Sequence, residues 1–380
     1  MCEIDEWERL HLWLGYGTEH FVRCFTRTLS RFPDLNEAFA LAKQHNKAAF
    51  SFLPERCARR LMEAASDGFM ERYLEKLIRS EIHFVMPFHE TYPVLLKQIH
   101  DYPHVLYYKG KLRHDPALPI AVIGSRAATD YGRDIAKLFS YAFVQAGATV
   151  ISGMASGVDS MAARGAMDCA AAADPTVAVL GTGVDIVYPP ENGRLYAEIV
   201  ERGAVVSEFL PGTEPKREYF PIRNRIMSGL SRGVLVVEAG ERSGTSITVG
   251  YAHDEGREVF AIPGRITDVK SVGTNRLIQR GEAKPVFCVV DVLSEFQCES
   301  VTNFDQTCVA NDVVAGLSDE ERSIVNVLQA GEKSFDELSE MLSYPPGLLN
   351  SYLTALQFSG IMKQLPGRIY ALGITYTKKF

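Results

Sequence analysis

Seven apolar runs of four or five residues recur between positions 105 and 262, most of them separated by stretches of helical periodicity. The runs at 105–108, 120–123, 149–152, 177–180, 205–208, 234–238 and 259–262 are predicted strands. Helices are predicted near 131–145, 158–173, 191–201, 222–230 and 246–255. Strands this short and this uniformly apolar need cover on both faces. That requirement points to an α/β protein with an extended Rossmann-like, doubly wound parallel sheet. Loops that follow such strands open together at the carboxyl edge of the sheet. Five are expected to share one crevice: 124–126, 153–159, 181–185, 208–225 and 238–245.

Three of these loops suit phosphate. Gly124-Ser125-Arg126 lies between a strand and a helix start, so it can offer close backbone N–H groups and a cationic fork. A structural glycine beside a surface arginine would read the same way. Gly153 to Asp159 and Ser243-Gly244-Thr245 are small-residue loops placed before helices. The segment from Pro215 to Arg225 carries Lys216, Arg217, Arg223 and Arg225, with Tyr219, Phe220 and Asn224 among them. Cations track phosphates and aromatic faces stack on bases, which is the chemistry of single-strand binding. The alternative is a solvated loop with Phe220 as a core plug and arginines paired to Glu208, Asp159 or Glu238. Asp159 and Glu238 could also form an acid–base pair, although no nucleophile or metal set accompanies them.

The chain has 380 residues and a net charge of −7, so any polyanion site must be a local patch. Its seven cysteines contain no C-x-x-C pair and its nine histidines form no ligand set; His100 and His104 flank Pro103. No metal or cofactor is therefore expected. There is no P-loop, and Gly181-Thr182-Gly183 has Ile186 where a dinucleotide fingerprint needs its third glycine. With no secretory segment and no apolar stretch of about 18 residues, a cytoplasmic protein with no membrane association and free thiols is expected.

The flanks read as helical. Residues 1–82 predict helices around Trp7–Leu14, 21–32, 35–47 and 55–79, with Gly15-Tyr16-Gly17 breaking the first. This suggests a SAM-like or helix–hairpin–helix domain, or a plain packing bundle, and its sign-alternating charges suggest a solvated face. An unpatterned stretch at 296–316 reads as a linker. Beyond it, capping boxes at Ser318/Glu321 and Ser334/Glu337, a helix at 346–359 and a hairpin at 362–372 predict a winged helix over 317–380. Its third helix has no Lys or Arg, which favours a partner-binding role over groove reading. The core domain is placed at 83–295. Apolar residues at 286–293, Leu277 and Ile278 could serve an interface or the core.

Ordered motifs across residues 92–283 resemble the DNA-processing protein A (DprA, or Smf) family. They include Tyr92-Pro93, Ile123-Gly124-Ser125-Arg126 with Thr129 and Tyr131-Gly132, Ser152-Gly153-Met154-Ala155 with Gly157-Val158-Asp159, and Ala178-Val179-Leu180-Gly181. Tyr188-Pro189, Ser207-Glu208, Phe220-Pro221 with Arg223-Asn224-Arg225-Ile226, Ser243-Gly244-Thr245, Phe260 to Gly264 and Gly273-Thr274-Asn275 continue the order. The resemblance implies non-catalytic single-stranded DNA binding. It also implies protection of incoming DNA in natural transformation (competence), loading of the RecA recombinase in DNA recombination, and a homodimer formed through the Rossmann-like domain. By position, Gly124, Ser125 and Arg126 would cradle phosphate, and Lys216 or Arg217 with Phe220 would hold the next nucleotides. Arg223, Asn224 and Arg225 would shape or line the groove, with Gly153, Ser243, Gly244 and Thr245 completing it. Asp101-Tyr102-Pro103, Ser156 and Ala163 depart from the family pattern, and the last two bear on DNA affinity.

Two rival readings accompany this one. One is a Rossmann-like nucleotide phosphoribohydrolase, whose Gly-Thr loop is followed by a glutamate; here Ser246 and Ile247 follow Thr245. The other is an adaptor acting through the winged helix.

Overall fold

The computed structural model describes residues 4–170, 172–241, 243–296, 317–358 and 361–372. Five helices come first: α1 (Glu6–Thr18), α2 (Val22–Arg31), α3 (Leu35–Lys43), α4 (Glu55–Ala64) and α5 (Phe69–Arg79). An Asp5/Glu8 capping box opens α1, and the helix then runs straight through Gly15 and Gly17, against the predicted break. A Cβ on Gly15 would collide with the Val105 side chain, and one on Gly17 with Leu61. The two glycines are therefore notches for close packing. Trp13 Nε1 donates to Leu61 O at 2.9 Å across the same contact. The predicted 55–79 helix is split instead, at Gly68 with φ +71°.

The central sheet has nine strands: β1 (His83–Val85), β2 (Leu106–Gly110), β3 (Pro119–Ile123), β4 (Thr149–Ser152), β5 (Thr176–Val179), β6 (Ala204–Ser207), β7 (Gly233–Val236), β8 (Glu258–Ala261) and β9 (Lys284–Pro285). Their order is β1-β2-β6-β5-β4-β3-β7-β8-β9. The seven strands from β6 to β9 in that order are parallel; six of them, β3 to β8, match predicted strands and β9 was not foreseen, whereas β2, predicted with the parallel set, runs antiparallel to β6 and to β1. The short connection explains the exception. Residues 111–118 must carry the chain past β6, β5 and β4 to the start of β3. Neighbouring strands lie about 4.8 Å apart, so eight residues suffice only if β2 ends at the edge where β3 begins.

Helices α6 (Asp130–Gln145), α7 (Val158–Asp168) and α12 (Val289–Leu293) cover one face, where Ile120, Val122, Val150, Leu235 and Phe260 point. Helices α9 (Tyr219–Gly229) and α10 (Thr245–Asp254) cover the other, where Ala121, Ile123, Ile151, Val234 and Val236 point. The alternation along β3 is the period-2 pattern of a strand buried on both sides. Each fully buried aliphatic side chain here contributes about 1.5–3 kcal/mol. Helix α8 (Gly193–Arg202) packs on β6 and α11 (Val272–Gln279) on β8. Val286, Val289, Val292 and Leu293 belong to the core, and Leu277 and Ile278 pack partly against it.

The C-terminal segment forms helices Asp319–Leu328, Phe335–Leu342 and Pro346–Phe358 with strands β10 (Lys333–Ser334), β11 (Met362–Leu365) and β12 (Ile369–Leu372). Both predicted capping boxes are present. The three strands pair antiparallel in the order β10-β12-β11, beside the three helices. Of the predicted linker at 296–316, Phe296 instead packs in the core against Phe260, and the rest lies outside the described residues. No helix among the described residues is long and apolar enough to cross a membrane.

Candidate nucleic-acid interface

Strand order reverses between β3 and β7, and ligand crevices of open α/β sheets form at the carboxyl ends of such a pair. A cavity of about 680 Å³ opens there. Its walls come from the loops after β3 and β4, the 215–227 segment and the start of α10.

The β3 loop is fixed from below. Ser125 N donates to Glu238 O at 2.8 Å, and Val158 N donates to Ser125 O at 3.2 Å. Glycine is needed at Gly157, where φ is +84° and a Cβ would strike the Ser125 and Arg126 carbonyls. Thr129 caps α6 through Gly132 N at 3.1 Å, and its own N–H and hydroxyl donate to the Glu238 carboxylate. Glu238 is thus engaged in holding a helix start, and among the described residues it makes no ion pair. Arg126 projects outward from this frame, its guanidinium 5.0 Å from the Phe220 ring centroid. Lys270 Nζ reaches Ser125 Oγ at 3.4 Å.

The basic segment divides into two populations. Lys216 and Arg217 are exposed at the rim; Lys216 Nζ sits 5.4 Å from the Tyr219 ring, which is itself buried. Phe220 and Asn224 are half-buried and line the crevice. Tyr188, legible in the sequence only as part of a family motif and not as a site residue, lies 5.5 Å from the Phe220 ring and lines the same wall. Arg223 and Arg225, by contrast, are only 3% and 5% exposed. Arg223 Nη1 donates to the carbonyls of Gly153 and Val179, beside the Asp159 carboxylate. Arg225 pairs with the buried Glu208 and does not reach the crevice.

Burial dominates the electrostatics of this floor. It pushes the Asp159 carboxyl up to about 6, against the pull of Arg223 and the N–H groups of Ala155 and Gly153. It also lowers Arg223 to about 10, against the attraction of Asp159. Glu208 is raised by burial too, with Arg225 opposing. Gly153 is wedged between Asp159 and Arg223, where a Cβ would lie 2.5 Å from Asp159 Oδ2. It shapes the floor without lining the cavity. The next residue, Met154, adopts φ +54° and is held there by Asn192 Nδ2, which donates to Met154 O at 2.9 Å.

Ser243, Gly244 and Thr245 lie at the start of α10 and line the far wall. A Cβ on Gly244 would meet nothing within 4 Å, so that glycine faces open space. The 181–185 loop, expected in the crevice, serves as a buttress instead. Gly183 N donates to Thr213 O, Gly212 N donates to Asp185 Oδ1 at 2.7 Å, and Gly181 packs beneath Phe220. Of the two departures bearing on DNA affinity, Ser156 Oγ donates to Glu191 at 3.0 Å and Ala163 is fully buried in the core. No cluster of His, Cys, Asp or Glu among the described residues could hold a metal ion.

A family model described as DNA recombination-mediator protein A matches residues 83–297. DNA processing protein DprA of Streptococcus pneumoniae is 41% identical over 239 residues, 60% of this chain and 82% of that protein. Protein Smf of Synechocystis is 39% identical over 214 residues, 55% of this chain and 53% of that protein, so the match spans about half of that relative's length. The X-ray structure of DNA processing protein A from Streptococcus pneumoniae aligns with a TM-score of 0.63 at 33% identity, covering 77% of this chain and 99% of that one. The Helicobacter pylori DNA processing protein A, solved for its single-stranded DNA binding mode, aligns with a TM-score of 0.51 at 26% identity over 57% of this chain and 95% of its own. On a family match that covers more than half of its residues, the chain belongs to the DNA recombination-mediator protein A (DprA/Smf) family.

Proposed function

We propose that the crevice binds single-stranded DNA without catalysing a reaction. The observation that carries this reading is the Arg126 guanidinium over the Phe220 face, with Lys216 and Arg217 beside it and three small-residue loops around it. Cation, ring and backbone donors together suit a phosphate followed by a base, with little dependence on which base. The Helicobacter pylori relative's single-strand binding supports the same chemistry here.

On this reading the protein shields incoming single strands during natural transformation and helps load RecA. It acts in the cytoplasm as a homodimer with no cofactor. The parts at 1–82, 83–295 and 317–380 then act as helical (SAM/HhH-like), DNA-holding and winged-helix regions, with 296–316 as the linker. The winged helix positions a partner, since its third helix, Pro346–Phe358, has neither Lys nor Arg. A phosphoribohydrolase is disfavoured by the engagement of both carboxylates, Asp159 by Arg223 and backbone N–H groups and Glu238 by Thr129.

Fluorescence anisotropy of a labelled oligo-dT strand, titrated at several salt concentrations with AMP as competitor, tests the proposal. Binding should weaken with a log–log salt slope of about −0.7 per neutralised phosphate and ignore AMP. Absent strand binding, with AMP held instead, overturns it. A loading assay with RecA on strands coated by single-strand-binding protein then tests the recombination role.

A further inference from the structure

A second hollow, of about 470 Å³, lies where α1, α4 and α5 face the 210–219 segment. Both hollows fall within the roughly 300–1,000 Å³ typical of ligand sites, and Lys216 lines both. Around the second stand Arg56, Arg60, Arg72, Lys76 and Lys216, against only two carboxylates, Glu19 and Glu214. Glu19 is already bound to Arg56 and Arg60. Among the described residues, Arg72, Lys76 and Lys216 make no ion pair, and Arg72 Nη1 meets only the Asp67 carbonyl at 3.5 Å. Unpaired cations concentrated in a chain of net charge −7 mark a place where polyanion contact is favoured. The wall between them is aromatic. Tyr16, Phe69 and Tyr73 form edge-on pairs at 5.0–5.1 Å, and the Arg60 guanidinium lies 5.9 Å from the Tyr16 ring.

The spacing on α5 is what builds the surface. Phe69, Arg72, Tyr73 and Lys76 fall at i, i+3, i+4 and i+7, one helical face turned toward Pro211 and Gly212. We propose that this hollow is a second phosphate-binding station, in which the backbone of the same single strand continues from the crevice, past Lys216, onto the N-terminal helices. The inference rests on the single-strand reading of the crevice. It makes the helical region part of the DNA path.

The full-length chain with Arg72→Glu and Lys76→Glu tests it, alongside Arg59→Glu with Arg79→Glu as an equal charge change away from both hollows. Anisotropy is read with oligo-dT of about six nucleotides, which one station can hold, and of about twenty, which can span both. The Arg72/Lys76 variant should bind the short strand as the unaltered chain does. It should bind the long strand about tenfold more weakly, with a salt slope smaller by about 1.4 for two lost phosphate contacts. The control should change neither strand's binding beyond a small, equal shift. Arg72→Gln with Lys76→Gln should give an intermediate loss. Equal long-strand affinity in the Arg72/Lys76 variant and the control overturns the second station and leaves the hollow to an acidic protein partner. Failure of the unaltered chain to bind even the short strand instead removes the crevice reading on which the proposal stands.

Discussion

The rim and the floor of the crevice use the same residue type for opposite purposes. Arg126, Lys216 and Arg217 at the rim are exposed, and the first two face aromatic rings. Arg223 and Arg225, only a few positions further along the chain, are buried against Asp159 and Glu208. A buried cation with a partner is costly to strip, because the remaining charge is left in a poorly solvating medium. An exposed one is nearly free to remove from the fold but is available to a ligand. The eleven-residue segment therefore separates into a part that builds the pocket and a part that fills it with charge.

That division can be broken at several points. Arg225→Ala should have the largest effect, a loss of about 3–5 kcal/mol in urea unfolding, because Glu208 stays buried with no cation. A pH series reads the other floor pair. Asp159 has its carboxyl raised from an ordinary 3.8 to about 6 by burial. Between those values the folded chain keeps a proton that the unfolded chain has released, so stability should fall as pH rises from about 4 to about 6 and level off above. The total is about 3 kcal/mol, and Asp159→Asn should remove that slope. Gly153→Ala, which intrudes on Asp159 and Arg223, should cost about 1–3 kcal/mol, whereas Gly244→Ala should stay within about 0.5 kcal/mol. At the rim, Arg126→Ala should shift the unfolding midpoint least of all. It should still weaken strand binding about tenfold on every sequence and shrink the salt slope by about 0.7. An Arg126→Ala chain that unfolds as readily as Arg225→Ala would erase the distinction.

The six parallel strands β3 to β8 and the helices on either side were legible because short apolar runs alternate with helical periodicity and their loops carry glycine. The edges were not. His83–Val85 is three residues with an exposed start, and Lys284–Pro285 is two exposed residues, too short for any periodicity to register. The direction of β2 follows from a connection length and a strand order, neither of which is local. At the site, Gly124, Ser125, Arg126, Lys216, Arg217, Phe220, Asn224, Ser243, Gly244 and Thr245 do converge on one cavity. Arg223 also borders it, but only from beneath. Arginine reads identically in sequence whether it faces solvent or a carboxylate, so the burial of Arg223 and Arg225 stayed open until Asp159 and Glu208 were placed. Lys270 was missed because it approaches Ser125 from a polar loop 145 positions away. The sign-alternating charges of the N-terminal helices looked like a solvated face, yet the i, i+4 pairs Arg56/Arg60 and Arg72/Lys76 border a common hollow.

The packing of the N-terminal helices has a bearing on modularity. Their apolar core is continuous with Val105, Tyr107, Val184 and Leu210 of the sheet region, and Tyr73 OH donates to Tyr107 OH at 3.0 Å inside it. The family-matched stretch beginning at residue 83 is consequently not a portable unit in this chain. Expressed without α1–α5, it would present the Val105–Tyr107 wall to water and invite association through it. Recombination between relatives, natural or engineered, would have to exchange the helices and this wall together.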